Sequence, residues 1–232
     1  MGDGSPLAPA GWLLRARSVR RALSTFPDVF GRMASGCFEQ VRRTSRFSAL
    51  PVALALTACG SSSPPLTFDL NSAQEFGGVK TGRGALAIYE PAASLPLDSE
   101  RIVMRTGPEA VAYLKGAQWA DRLPSLVQAR LIDSFENAHG LSAVGRPGIV
   151  AAYSLQSEIR RFEVEAPQGR ARVEISARIV AANGHILTSK IFSAEAPTAK
   201  DDAASVTAAL NEALANVLHQ IVLWTTPKVA RA

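Results

Sequence analysis

Apolar and polar residues alternate between residues 170 and 194 more regularly than anywhere else in the chain. The apolar set is Val173, Ile175, Ala177 and Ile179. A period of two indicates a strand with one buried and one solvated face. The alternating strand ends at Asn183-Gly184, and the segment at residues 185–192 (HILTSKIF) follows, so we predict a hairpin whose turn has positive φ at both central residues. Another strand is expected over residues 152–165, which gives three antiparallel strands in succession.

Apolar residues spaced by three or four predict two long amphipathic helices. The first begins at Asp121, ends at Ala138 and has Gly140 available as its C-terminal cap. The second begins at the Asp-Asp pair 201–202 and is expected to stop at Pro227. The stripes are Leu123, Val127, Leu131, Phe135 and Ala138 in the first helix and Val206, Leu210, Leu214, Val217, Ile221 and Trp224 in the second.

These elements predict a single α/β (α+β) domain. Its sheet is expected to be mixed but largely antiparallel, with both helices packed on it. We place the domain at residues 66–226 and a short tail at residues 227–232. The shorter strands predicted upstream are Leu66–Leu70, Arg83–Glu90, Arg101–Arg105 and Val111–Leu114.

A basic segment followed by an apolar run indicates an export signal near the N-terminus. Arg-Arg-Thr-Ser-Arg at residues 42–46 precedes twelve uncharged residues, 47–58. Twelve residues span about 18 Å as a helix, against a hydrocarbon core of about 30 Å. We therefore expect cleavage after export rather than a stable membrane-spanning helix.

The apolar run ends in Leu56-Thr57-Ala58-Cys59, which resembles the bacterial lipobox. In a lipobox the small residues fit the signal peptidase, and the cysteine is acylated and becomes the new N-terminus. The resemblance implies a covalent diacylglycerol and an N-acyl chain on Cys59, and we expect no other cofactor. Residues 59–65 are rich in Gly, Ser and Pro and are predicted to form a lipidated tether. A chance Leu-x-Ala-Cys sequence in a buried strand is the alternative.

The residues on either side of the lipobox indicate where the export signal begins and to which membrane the protein is sent. A signal at residues 33–58 is 26 residues long if translation starts at Met33, whereas Met1 gives 58. We interpret residues 1–32 as an artefactual extension of the gene model or a disordered segment. Gly60 rather than Asp follows the cysteine, which in lipoproteins of two-membrane bacteria implies the outer membrane, facing the periplasm. The inner membrane is the alternative.

Charge and motif content narrow the possible functions. From Cys59 onward the chain has 17 basic and 17 acidic residues, so we expect no nucleic-acid partner. With one thiol and three scattered histidines there, no disulfide or metal site is expected. The glycine-rich segment at residues 77–84 does not match a phosphate loop, because Arg-Gly and not Lys-Ser/Thr follows Gly82. The sequence around Ser142 does not match a nucleophile elbow, because it lacks the second glycine. We therefore predict no catalytic residue and no enzymatic activity, with a periplasmic hydrolase as the enzymatic alternative.

Aromatic and charged residues meet at a predicted strand-to-helix junction. Tyr113, Trp119, Asp121 and Arg122 are therefore candidates for a partner-binding surface. The structural alternative is that Trp119 fills the core, Asp121 caps the helix and Arg122 is exposed.

Several short motifs in a fixed order resemble the ABC-type transport auxiliary lipoproteins, the PqiC-like group. After the lipobox and tether these are RIVMR (101–105), Gly107-Pro108, Tyr113-Leu114, WADRLP (119–124), LVQAR (126–130) and Phe135-Glu136. The resemblance covers roughly residues 59–226. It implies a role beside MCE-domain proteins and an ABC permease and ATPase, moving phospholipid or other hydrophobic molecules across the envelope. A structural envelope-assembly lipoprotein without a transport role is the alternative function.

Overall fold

The computed structural model describes residues 64–79 and 81–230, and within these ranges nine strands and two helices are formed. The strands are β1 (Leu66–Phe68), β2 (Ala85–Ile88), β3 (Ala92–Ala93), β4 (Arg101–Arg105), β5 (Val111–Trp119), β6 (Ala143–Gly145), β7 (Tyr153–Glu165), β8 (Arg170–Ala181) and β9 (Ile186–Pro197). The helices are α1 (Leu123–Ala138) and α2 (Ala203–Val229), and a 3₁₀ turn covers Ala166–Gln168.

The predicted succession of three antiparallel strands is confirmed. β7 pairs with β8 and β8 with β9, both antiparallel along nearly their whole length. The apolar set of β8 is buried, as its alternation predicts. β7 contains an irregularity between Ile159 and Arg161, where two residues of β7 face one of β8. This bulge keeps both Ile159 and Phe162 on the core side, although they are three residues apart.

β7 organises the rest of the sheet because different parts of it pair with different neighbours. Its N-terminal residues pair in parallel with β2, which also pairs with β6. Its C-terminal residues pair in parallel with β4, and β4 continues to β5 and β1. The sheet is mixed, as predicted, and the described residues contain more parallel pairings than a largely antiparallel sheet suggests.

Both helices pack on one face of this sheet. α2 contacts β8 and β9, while α1 packs against β2, β6 and α2. Leu131 and Phe135 of α1 and Leu210 and Leu214 of α2 are at most 1% exposed, so both predicted stripes enter one core. By length and composition α2 could cross a bilayer, but more than half of its most apolar window is buried inside the domain. Its apolar character is explained by this burial.

The turn between β8 and β9 differs from the prediction. The Ala181 carbonyl accepts from the Gly184 N–H (2.8 Å), and the Ala181 N–H donates to the His185 carbonyl (2.9 Å). Gly184 has φ 84°, whereas Asn183 is not in the positive-φ region. The loop therefore has three residues with a left-handed glycine at its end, and the predicted positive φ at both Asn183 and Gly184 is wrong.

The predicted end of α2 is also wrong, because the helix continues through Pro227 to Val229. Pro227 lies in the last turn of α2. Its missing N–H removes a single helical hydrogen bond, the one to the Leu223 carbonyl. The Ala230 N–H still closes the turn by donating to the Thr226 carbonyl (2.9 Å).

The ends of α1 are shifted relative to the prediction. The helix begins at Leu123 with Arg122 at the N-cap position, so Asp121 is not the capping residue. At the other end the left-handed residue is His139 (φ 49°) and not Gly140. Gly140 has a packing role instead, since a Cβ atom there would overlap the Thr226 side chain of α2.

Candidate functional site

The predicted lipidation motif at residues 56–59 lies outside the described residues, so acylation of Cys59 remains a prediction. The first described residues, Pro64 and Pro65, are exposed and lead directly into β1. The predicted tether, residues 59–65, then joins the predicted lipid to β1. Seven extended residues reach at most about 25 Å.

The pairing of β1 shows where this tether joins the domain. Leu66 of β1 pairs in parallel with Ala117 of β5, and β5 is antiparallel to β4. β4 is parallel to β7, with Val103 opposite Glu163. β1 therefore runs opposite to β7, and tracing the chain backward from Leu66 leads toward the C-terminal end of β7. The tether enters on that side of the sheet.

Trp119, one of the four candidate partner residues, is a core residue. It is 1% exposed, and its ring packs edge-on against Phe162 with the centroids 5.8 Å apart. The Trp119 N–H donates to the Glu100 carbonyl (2.7 Å), which fixes the end of β5 against the residue before β4. The structural alternative for this tryptophan is confirmed, and it is not available to a partner.

Tyr113 lies on the opposite face of the sheet from Trp119. Gly116 interrupts β5 with φ 70°, and the register between β4 and β5 shifts near this point. Simple alternation would place residues 113 and 119 on one face, and the interruption reverses this. Tyr113 is 38% exposed, and the Arg101 guanidinium lies 4.7 Å from its ring centroid.

Asp121 and Arg122 precede α1, and both hold its start through polar contacts. Arg122 donates from Nε to Asp98 (2.9 Å) and lies 3.3 Å from a carboxylate oxygen of Glu90. The Asp121 carboxylate accepts from the Ser125 hydroxyl (2.8 Å) and from the Arg122 N–H (2.6 Å). These bonds lower the pKa of Asp121, the one from Ser125 most, and the hydrogen bond to Asp98 raises the pKa of Arg122.

The four candidate residues therefore do not form one surface. Asp121 and Arg122 lie together at the start of α1, Trp119 is in the core, and Tyr113 is on the helix-free face. The Arg122 pairs hold Glu90 and Asp98, which lie on either side of β3, against the start of α1. This is a structural arrangement, and the predicted partner surface is wrong as a single patch.

The helix-free face carries a continuous chain of ion pairs. In order its members are Arg105, Glu163, Arg161, Glu165, Arg172, Glu195 and Arg170, with nearest N–O distances from 2.7 to 3.9 Å. Each arginine contacts at least one carboxylate, so the excess of positive charge is small. The ion pairs therefore neutralise most of the charge on this solvated face.

One link of the chain differs from the others in burial and geometry. Both carboxylate oxygens of Glu163 accept from Arg105, from Nε at 2.7 Å and from Nη2 at 2.8 Å. The Glu163 side chain is 5% exposed, and its hydrogen bonds raise the pKa of Arg105. At the far end, the hydrogen bond from Arg170 lowers the pKa of the exposed Glu195. The sequence gives no sign that Arg105 belongs to this chain, since it lies 58 residues from Glu163.

The described residues contain no group of three or more His, Cys, Asp or Glu side chains placed to hold a metal ion. In the glycine-rich segment, Gly82 and Gly84 lie against the end of α2, where a Cβ on either would overlap Ala230 or Val229. These glycines allow close packing between the segment and the helix.

A family model described as "ABC-type transport auxiliary lipoprotein component" matches residues 68–222, which is more than half of the chain. The chain belongs to this family. The resemblance of the short motifs is thereby confirmed. The family is an auxiliary transport component and not a known enzyme family, and a lipoprotein family fits the cell envelope.

Solved structures agree with this assignment. Protein XCC0632 from Xanthomonas campestris, a DUF330 protein, is 26% identical with a TM-score of 0.65 over 69% of this chain and 95% of that protein. A second structure, of an uncharacterized protein, is 14% identical with a TM-score of 0.56 over 72% and 99% of the two chains, and it supports the fold alone.

A curated relative extends beyond the matched region. "Uncharacterized protein bll6063" of Bradyrhizobium diazoefficiens is 36% identical over an alignment of 194 residues, and the match covers 79% of this chain and 51% of the relative. The chain thus spans about half the length of that relative.

Proposed function

We propose that this protein is a non-enzymatic, lipid-anchored accessory subunit of an MCE-linked ABC-type transporter that moves phospholipid or other hydrophobic molecules across the envelope. Membership of the auxiliary lipoprotein family is the observation that carries the proposal. Energy for transport would come from the partner ATPase, and the permease and MCE protein would be the direct partners.

Attachment to the membrane would depend on the acylated Cys59. Two or three acyl chains give stable attachment, whereas one gives marginal binding. The residues from Cys59 onward carry equal numbers of basic and acidic groups, so the domain lacks the excess of cations that holds a protein to anionic lipid. Gly60 after the cysteine supports the outer membrane, with the domain in the periplasm.

The surface of the domain suits binding to a protein more than catalysis. On the helix-free face, Arg105, Arg161 and Arg172 are paired with carboxylates of β7 and β9. Paired groups hold the sheet surface in one shape, and a rigid surface loses little conformational entropy when a partner binds.

The anchor is tested by Cys59→Ser, with Cys37→Ser as the matched control, because Cys37 precedes the predicted cleavage site. Radiolabelled palmitate and membrane fractionation are the measurements. We expect Cys59→Ser to lose the label and to remain an uncleaved or soluble precursor, and Cys37→Ser to behave as wild type. Normal labelling and fractionation of Cys59→Ser would contradict the predicted anchor.

The partners are tested by purifying the tagged protein from its own envelope in detergent and identifying proteins and lipids by mass spectrometry. Enrichment of an MCE protein, permease or ATPase is the expected result. Recovery of only outer-membrane assembly or cell-wall proteins would refute the transport role and favour the structural alternative.

A further inference from the structure

One cavity of about 530 Å³ spans β7, β8 and β9. Side chains of two adjacent rows of the sheet line it on the helix-free face. In one row Arg178 lies between Gln156 and Ser189, and in the next row Ser176 lies between Glu158 and Ile191. We name these side chains the central groove; its members are Gln156, Glu158, Ser176, Arg178, Ser189 and Ile191.

The central groove contains two charged residues that have no ion pair. The other charged residues that β7, β8 and β9 place on this face form ion pairs with one another. Within the part of the chain that the structure describes, Glu158 makes no ion pair, and Arg178 only donates from Nε to Gln156 (3.1 Å). Lys190 is not part of the groove, because its ammonium lies 5.1 Å from the ring centroid of Phe192 on the helix side of the sheet.

The two unpaired charges face the same cavity from neighbouring strands. Glu158 lies opposite Ser176, two residues before Arg178, so the charged residues are diagonal neighbours. Such neighbours on one sheet face are about 7–8 Å apart. Because Gln156 occupies only Nε, both terminal nitrogens of the Arg178 guanidinium remain available as donors. A carboxylate and a guanidinium in this arrangement suit a ligand that carries both a positive and a negative group.

We propose that the central groove binds the phosphoethanolamine zwitterion, either as the headgroup of a phospholipid or as a free phosphomonoester. Arg178 would donate to the phosphate oxygens, since the guanidinium fork matches phosphate geometry, and Glu158 would accept from the ammonium group. The hydroxyls of Ser176 and Ser189 lie in the same two rows, and Ile191, which is 52% exposed, would contact the carbon chain. This inference rests on the proposed function, because a transporter of phospholipid brings such headgroups to its subunits.

The carboxylate of Glu158 should make the groove selective among phospholipid headgroups. A primary ammonium group donates hydrogen bonds to a carboxylate, whereas the quaternary ammonium of choline has no N–H and a glycerol headgroup has no positive charge. We therefore expect glycerophosphoethanolamine to bind more tightly than glycerophosphocholine or glycerophosphoglycerol. Water weakens ionic contacts at an exposed site, so the expected preference is about tenfold.

The test is calorimetric titration of the full protein, purified in detergent from its own envelope, with these three water-soluble headgroups. Glu158→Gln should bind glycerophosphoethanolamine about tenfold more weakly and lose the preference over glycerophosphocholine. Arg178→Gln should weaken the binding of all three headgroups, because each contains the phosphate. Glu195→Gln is the matched control and should bind as wild type, since Glu195 lies on the same face and is paired with Arg170.

The remaining outcomes separate the two sources of the ligand and the two proposals. Binding of phosphoethanolamine without binding of glycerophosphoethanolamine would support the groove with a free phosphomonoester as its ligand. No saturable binding of either compound, unchanged affinity in Glu158→Gln and Arg178→Gln, or equally tight binding of glycine, a zwitterion without phosphate, would overturn the proposal. The titration needs no transporter component, so its failure leaves the proposed function standing, whereas loss of the proposed partners would not alter the measured affinities.

Discussion

Glu163 should contribute more to stability than Glu195, although both belong to the same chain of ion pairs. Glu163 is 5% exposed and accepts two hydrogen bonds from Arg105, whereas the Glu195 side chain is 37% exposed. Glu163→Gln keeps the size of the side chain but removes its charge. It also replaces one of the two acceptor oxygens with an NH₂ group, which faces the Arg105 guanidinium and cannot accept.

The size of the effect follows from this geometry. Hydrogen bonds between charged groups contribute about 1.5–3 kcal/mol, and the 28% exposure of Arg105 lets water replace part of that. We expect Glu163→Gln to lower the free energy of unfolding by about 2 kcal/mol. Exposed pairs contribute about 0–1 kcal/mol, so Glu195→Gln should cost less than half as much.

The measurement is urea unfolding of the anchor-free chain that starts at Gly60, and tryptophan fluorescence reports the fraction unfolded. An unchanged slope with urea shows that a variant alters stability and not the extent of unfolding. A double-mutant cycle with Arg105→Met isolates the pair, and a coupling energy of about 1–2 kcal/mol is expected. Equal losses for Glu163→Gln and Glu195→Gln, or no coupling to Arg105, would refute the claim that burial makes this link strong.

Three further predictions use the same unfolding assay. Trp119→Ala should lower the free energy of unfolding by about 3–5 kcal/mol because it empties a buried site, while Tyr113→Ala should cost less than about 1 kcal/mol; similar costs would contradict their placement on opposite faces. Gly140→Ala should cost about 1–3 kcal/mol, since the new methyl group overlaps the last turns of α2, and a neutral result would show that the helix can shift. Hydrogen bonds lower the pKa of Glu195 and Asp202 below their unfolded values near 4, so stability should be constant above about pH 5 and fall as the pH drops through the folded values; loss beginning near neutral pH would point to other groups.

The strands and helices that the sequence predicts well are those with many repeats of their period. β8 alternates over 12 residues and α2 repeats its stripe over 27, so a few exceptions do not hide the pattern. β3 and β6 have two and three residues, too few to show a period, and neither was predicted. Their pairing is parallel and depends on contacts distant in the sequence.

The candidate partner residues were grouped because they lie at a predicted strand-to-helix junction, and the folded chain separates them. Trp119 enters the core, and Gly116 with φ 70° interrupts β5 and leaves Tyr113 on the other face of the sheet. A glycine inside a strand can mark such an irregularity, so Gly116 is the local signal for this separation. The partners of Arg105 depend on three-dimensional neighbours and have no local signal.

β7 connects the two halves of the sheet. Its C-terminal residues pair with β4, which leads to β5 and β1, and its N-terminal residues pair with β2. A bulge between Ile159 and Arg161 lets one strand of 13 residues keep a buried face along this whole distance. If the bulge sets that geometry, deleting Arg160 should invert the side chains on one side of it and expose Phe162. Loss of folding on deletion of Arg160, with Arg160→Ala near wild type, is therefore the expected result, and a stable deletion variant would show that β7 does not depend on the bulge.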